Sequence, residues 1–261
     1  MKERITGERI KEHFHYDWFK YVAVFLACIF VFFVAYTWMG NLRVYERLEG
    51  FITCYNYYDE TAFEEAVVDH LNSSDYAYSQ TNSVKEVSFY TLPENSQSWG
   101  ETLSAYCMDK GTIIVVLPES KMADYANWFF PLKVKDNKSY EQRVWNRIIP
   151  SELKEWYENE ENLFVSEDDA DGDGKGDGSS SVYGLRIDNL PNISPSMKFT
   201  LTPEEAEERG IVDYVPEKYY LLVHYRNYNI GEFGMKPKYY SHAEGFEVVR
   251  FFLSRYGVTK S

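Results

Sequence analysis

Cysteine and histidine are scarce in this chain, and basic side chains are in the minority. Three cysteines and five histidines in 261 residues leave no Cys/His spacing of the kind that holds zinc. His70, His224 and His242 stand far apart in sequence, so each reads as a surface or lone structural histidine. Twenty-seven Lys and Arg face 41 Asp and Glu, a formal charge of −14 at pH 7. Such a surface repels nucleic acid and anionic lipid, and it attracts cations or basic partners. No G-x-S-x-G, P-loop, dinucleotide fingerprint or H-E-x-x-H occurs. Ser151-Glu152-Leu153-Lys154 matches S-x-x-K in form, but no S-D-N or K-T-G accompanies it, and Ser151 after Pro150 reads as a helix cap. With these signatures missing, the expectation is a protein that is not an enzyme.

Charge is missing altogether from Tyr21 to Met39, nineteen residues in a row. At 1.5 Å per helical residue such a run spans roughly 30 Å, the hydrocarbon thickness of a bilayer. Trp18, Phe19 and Tyr21 flank it on one side, Tyr36 and Trp38 on the other, where amphipathic rings settle at headgroup level. Lys2, Arg4, Arg9, Lys11 and Lys20 precede the run, whereas only Arg43 and Arg47 follow within twenty residues. The richer side stays cytoplasmic. The run is too long for a signal-peptide core, and Tyr36-Thr37-Trp38-Met39 is no cleavage site. The expected organisation is a cytoplasmic tail over 1–17, a signal-anchor helix over 18–39 and an extracytoplasmic domain over 40–261. Residues 1–39 hold five basic and four acidic side chains, so 22 basic residues face 37 acidic ones beyond them, a formal −15 on the outer domain. With Cys28 inside the run, Cys54 and Cys107 are left as a candidate disulfide pair or as two small buried thiols.

Strands and helices alternate after the apolar run. Phe51–Asn56 and Val84–Tyr90 are β-prone, and Gly111–Glu119 (GTIIVVLPE) is a continuous β-branched run of the type buried on both faces in a parallel sheet. Helical periods fall over Glu60–Leu71, Trp99–Met108, Ser120–Phe130, Tyr140–Ile149 and Ser151–Asn162. Val182–Ile187 and Tyr219–Tyr225 are later strands. Between them Thr202 caps a helix opening at Pro203, and a last helix over Ser241–Tyr256 ends at Gly257. The alternation predicts a three-layer α/β domain around a mostly parallel sheet.

The order FITCYN, helix, VKEVSFY, helix, GTIIVVLPES, a helix ending in Phe130-Pro131-Leu132, then VYGLRIDN resembles the first lobe of bacterial extracellular solute-binding proteins. It is similar above all to the small membrane-anchored ectodomain proteins of Clostridia-like Firmicutes that keep that lobe. The resemblance implies one lobe of a periplasmic-binding-protein type II fold, and a role as a weak small-molecule binder or as an accessory or sensing partner of a membrane transporter. There is room for one lobe only, so ligand capture by closure of two lobes is not expected.

Two sites follow from the residues. Ligands of open α/β sheets bind beyond the C-terminal ends of the strands, where strand order reverses. Here that edge would be lined by Tyr55, Asn56 and Tyr57 after the first strand and by Glu119 and Ser120 after the central one. Glu119 would hold a cationic group, and Ser120 with the next helix's N–H groups an anionic one. The alternative is that Ser120 merely caps the helix and Glu119 is solvated. The second site is the acidic Asp/Gly loop over 167–180. Its Asp169, Asp171, Asp173 and Asp177, with Lys175 at position 7, follow the front of an EF-hand calcium loop with Gly174 at position 6. Ser180 stands where the bidentate Glu belongs, so the expectation is weak calcium binding or a solvated insertion. Calcium binding would make the domain a calcium-stabilised surface or adhesion module, the alternative function.

Overall fold

The computed structural model describes residues 7–40, 42, 46–73, 84–109, 111–125, 128–134, 137–138, 141, 144–167, 180–224 and 244–258. The chain divides into two compact units, Met1–Arg43 and Val44–Ser261. In the first, one helix runs over Gly7–Gly40 (α1). Its stretch His15–Tyr36 is long and apolar enough to cross a membrane, and none of it is buried by protein. A soluble helix exposing Phe25, Phe30, Phe32 and Phe33 together would leave its apolar circumference in water.

The second unit is an α/β domain around one seven-stranded sheet. Its strands are Arg47–Ile52 (β1), Glu86–Thr91 (β3), Thr112–Pro118 (β4), Lys133–Val134 (β5), Leu163–Glu167 (β6), Ser180–Arg186 (β7) and Tyr219–Val223 (β9). Asn56–Tyr57 (β2) and Met197–Lys198 (β8) form a separate two-stranded ribbon. The main order is β3-β1-β4-β9-β7, with β5 and β6 both paired to β7. Only β3, β1 and β4 are parallel; every pairing from β4 to β9 and onward is antiparallel. The expected mostly parallel sheet is therefore corrected to a mixed one. Unbroken apolar runs report burial on both faces, which helices impose on antiparallel strands as well. β9, with all five residues buried, is such a case.

Helices cover both faces. Glu60–Leu71 (α2) has the bounds its period predicts and buries Phe63, Val67 and Leu71, one stripe at i, i+4, i+8. They pack with Ile52, Ile114, Val223 and the Phe252 face of Glu244–Gly257 (α7). Phe63 is the hub: its ring lies 5.3–6.3 Å from those of Tyr57, Phe89, Phe251, Phe252 and Tyr256. On the opposite face Trp99–Met108 (α3) and Glu119–Tyr125 (α4) bury Trp99, Leu103 and Met122 against Phe51, Val115 and Leu222. The Trp99 indole N–H donates to Thr53 Oγ1 at 3.0 Å.

Short elements complete the domain. Trp145–Ile148 (α5) is a single turn, and Pro203–Glu208 (α6) carries the predicted Thr202 cap, closed into a capping box by Glu205. The helix expected over Ser151–Asn162 is instead three 3₁₀ turns. Asn159, extended at ψ 119°, accepts from the Glu161 N–H with its side chain, a local bond that competes with helix propagation. Gly257 is the last residue of α7, and a Cβ there would sit 2.5 Å from Leu153 Cδ1. Close packing, rather than a left-handed cap, is what demands glycine.

Cys54 and Cys107 do not pair. Both are free and buried, and they belong to the cores on opposite faces of the sheet. Burial pushes each thiol up to about 12.

Candidate functional site

β7 is antiparallel to β9, which is antiparallel to β4. The C-terminal ends of β4 and β7 therefore share an edge with the start of β9: Pro118 pairs with Tyr219, and Arg186 with Tyr220. A cleft of about 560 Å³ opens there, lined by Glu119 and Ser120 after β4, Arg186 and Asp188 at the end of β7, Thr200, and the segment Val215–Lys218 that leads into β9. It lies where the parallel half of the sheet meets the antiparallel half.

Its floor is fixed by Asp188. The Arg186 guanidinium donates to it from Nε and Nη2, each at 3.0 Å, and the Tyr219 N–H donates at 3.0 Å. A bidentate charge-assisted pair of this kind holds its geometry more firmly than a lysine would, and the Asp188 bond holds the guanidinium pKa above its ordinary value. Glu119 is held less tightly. Its Oε1 accepts from the Tyr220 hydroxyl at 3.3 Å and lies 3.6 Å from Lys218 Nζ. The Tyr220 phenol is pushed up to about 12, by burial first and the Glu119 charge second. Glu217 accepts from the Ser120 N–H at 2.9 Å. An acidic side chain thus takes the start of α4, so the anion site expected at Ser120 is already filled by the chain itself. Among the described residues the lining holds three carboxylates and two cations, and neither histidine nor cysteine. It suits a small polar solute with a cationic group, held by Glu119 and Glu217 against the Arg186–Asp188 pair.

Of the predicted edge residues, Glu119 and Ser120 line the cleft, whereas Tyr55, Asn56 and Tyr57 do not. The chain turns into the β2–β8 ribbon directly after β1, and this carries all three away. Tyr55 stands edge-on to Tyr214 at 6.5 Å with the Arg209 guanidinium 5.3 Å from its ring. The Tyr214 hydroxyl in turn accepts from the Leu201 N–H at 2.9 Å, so Tyr55 buttresses the segment that supplies Val215–Lys218. Asn56 is exposed, and its amide donates to the Tyr58 hydroxyl at 3.2 Å. Tyr57 bonds hydroxyl to hydroxyl with Tyr256 at 2.9 Å, in the core. Sequence reading missed Arg186, Asp188, Thr200, Glu217 and Lys218. The available signal was the pair of turns after VYGLR and before YYLLV, which share one edge once β9 is antiparallel.

Asp169, Asp171, Asp173, Lys175 and Asp177 lie outside the described residues. Their flanks are described: Glu167 pairs with Ser180 at the loop end of the β6–β7 hairpin. The loop thus connects two strands, not the two helices of an EF-hand. Among the described residues no group of three or more His, Cys, Asp or Glu could hold a metal ion.

Comparisons with family models, curated proteins and solved structures return no match to this chain.

Proposed function

We propose that this chain is a single-span membrane protein whose extracytoplasmic α/β domain binds a small charged solute, as an accessory or sensing partner of a membrane transporter and without catalysis. The observation that carries the reading is the cleft of about 560 Å³ at the seam of the sheet, lined by Glu119 and Glu217 together with the fixed Arg186–Asp188 pair. The apolar helix supports the membrane address, and the excess of basic residues before it supports a cytoplasmic N-terminus. A binder held by α1 stays beside a membrane partner, which favours sensing or assistance over carriage.

A melting screen tests it. The full chain in micelles is heated with a set of small amines, zwitterions and dications, beside Glu119→Gln and Arg186→Gln variants. The reading predicts that at least one solute raises the midpoint of the wild type and loses that effect in both variants. No shift with any solute, or a shift that persists in both, would overturn it. For the address, protease added to intact cells should digest the domain and spare residues 1–17.

A further inference from the structure

Asp188 and Thr200 line a second cavity as well as the cleft, so the two spaces adjoin at this pair. The second has a volume of about 340 Å³, within the range of small-ligand sites. The β2–β8 ribbon builds it: Lys198 pairs with Asn56, and the Tyr58 N–H donates to the Ser196 carbonyl at 2.7 Å. Glu119 and Glu217 line the cleft and not the second cavity, whereas Lys198, Ser194 and Tyr58 line the second cavity and not the cleft. A solute that reaches both sets of groups has to extend past Asp188 and Thr200.

The two spaces offer opposite chemistry. Asp188 adds little charge to either, because Oδ1 accepts from Arg186 Nε and the Tyr219 N–H, and Oδ2 accepts from Arg186 Nη2. With that pair cancelled, the cleft presents Glu119 and Glu217 against one ammonium, that of Lys218. Glu119 is bonded through Oε1 and Glu217 through Oε2, and each carboxylate has a second oxygen to offer. The second cavity is instead rich in donors. Ser194 and Thr200 are exposed and Tyr58 is 63% exposed, and each carries a hydroxyl. The Lys198 ammonium, on a side chain 27% exposed, donates to Glu205, which is outside the lining, and an ammonium has further N–H groups to give. A simple amine would leave these donors unused. A diamine would bring a second ammonium against Lys198, and a dicarboxylate would set one of its ends against Glu119 and Glu217. An α-amino acid carries both charges on one carbon, so they fall in one space rather than one in each. We infer, resting on the solute-binding reading of the cleft, that its solute is a linear ω-amino acid, with the ammonium held by Glu119 and Glu217 and the carboxylate accepting from Lys198 and from the Ser194 and Tyr58 hydroxyls.

Isothermal titration calorimetry on the full chain in uncharged micelles provides the test. The probes are γ-aminobutyrate, δ-aminovalerate and ε-aminocaproate, each beside the alkylamine of equal length, with alanine and putrescine as comparisons. At least one ω-amino acid should bind about tenfold more tightly than its alkylamine, for the charge-assisted hydrogen bonds gained at the carboxylate. Lys198→Gln should erase that advantage and leave the affinity of the amine unchanged. Glu205→Gln keeps the capping box, which accepts Glu or Gln at this position, and releases the Lys198 ammonium from a competing carboxylate. The ω-amino acid should then bind more tightly than to the wild type, a gain that decides the matter if Lys198→Gln does not fold. Amines that bind as tightly as the ω-amino acids, or an ω-amino acid affinity that neither variant alters, would overturn the inference and leave the cation site of the cleft standing. No binding by any probe would overturn both.

Discussion

The two halves of the sheet are built differently. Strands β1, β3 and β4 follow one another through α2 and α3 as successive βαβ units. The antiparallel half collects β5, β6, β7 and β9 from segments spread over 133–223. The first half supplies a frame with a hub at Phe63. The second supplies Arg186, Asp188 and Val215–Lys218, most of the cleft. The frame comes from contiguous βαβ units, whereas the cleft comes from the segments that leave β4 and β7 and enter β9.

Substitutions can break this contrast. Phe63→Ala should have the largest effect, about 3–5 kcal/mol of stability lost, read by urea denaturation, because five aromatic rings close on that side chain. Asp188→Ala comes next, at about 2–3 kcal/mol, since it strands the Tyr219 N–H and the Arg186 guanidinium together. Unlike Phe63→Ala, it should also remove the solute-dependent rise in melting. Gly184→Ala, in the middle of β7, brings a Cβ to 2.8 Å from Met122 Cε, 3.1 Å from Tyr220 Cβ and 3.2 Å from Phe164 Cβ. The crowding should cost about 1–3 kcal/mol, and hydrogen exchange should rise in β6, β7 and β9 while β1 and β3 stay protected.

The smallest effect is one of pH. Glu64 accepts from the Phe89 N–H at 2.7 Å, yet burial raises its pKa above the ordinary carboxylate value. A raised folded-state value means its contribution is fully present below the unfolded pKa and is lost as pH rises through the folded one. Glu64→Gln should therefore gain stability over the wild type at neutral pH. Melting curves recorded down to below the ordinary carboxylate value of 4.5 should show the gain shrinking.

Legibility in the sequence follows the same divide. The 3.6-residue stripe at Phe63, Val67 and Leu71, the β-branched run of β4 and the Thr202 cap are local signals, and the structure has all three where they point. The β6 strand LFVSE has exposed or half-buried positions throughout, so neither alternation nor a buried run marks it. Antiparallel placement of β9 depends on its partners, and burial on both faces erases the period that would have disclosed it. Glu119 and Ser120 were readable because they end the plainest strand. Arg186, Asp188, Glu217 and Lys218 become a site only once that pairing is known.

The central claim is that a solute binds where the two halves meet. Amide hydrogen exchange of the full chain, free and with a solute that raises its melting point, tests this most directly. The account predicts new protection in Glu119–Ser120 from one half together with Arg186–Asp188 and Glu217–Tyr219 from the other. Protection confined to one half, or appearing away from these three segments, would contradict it.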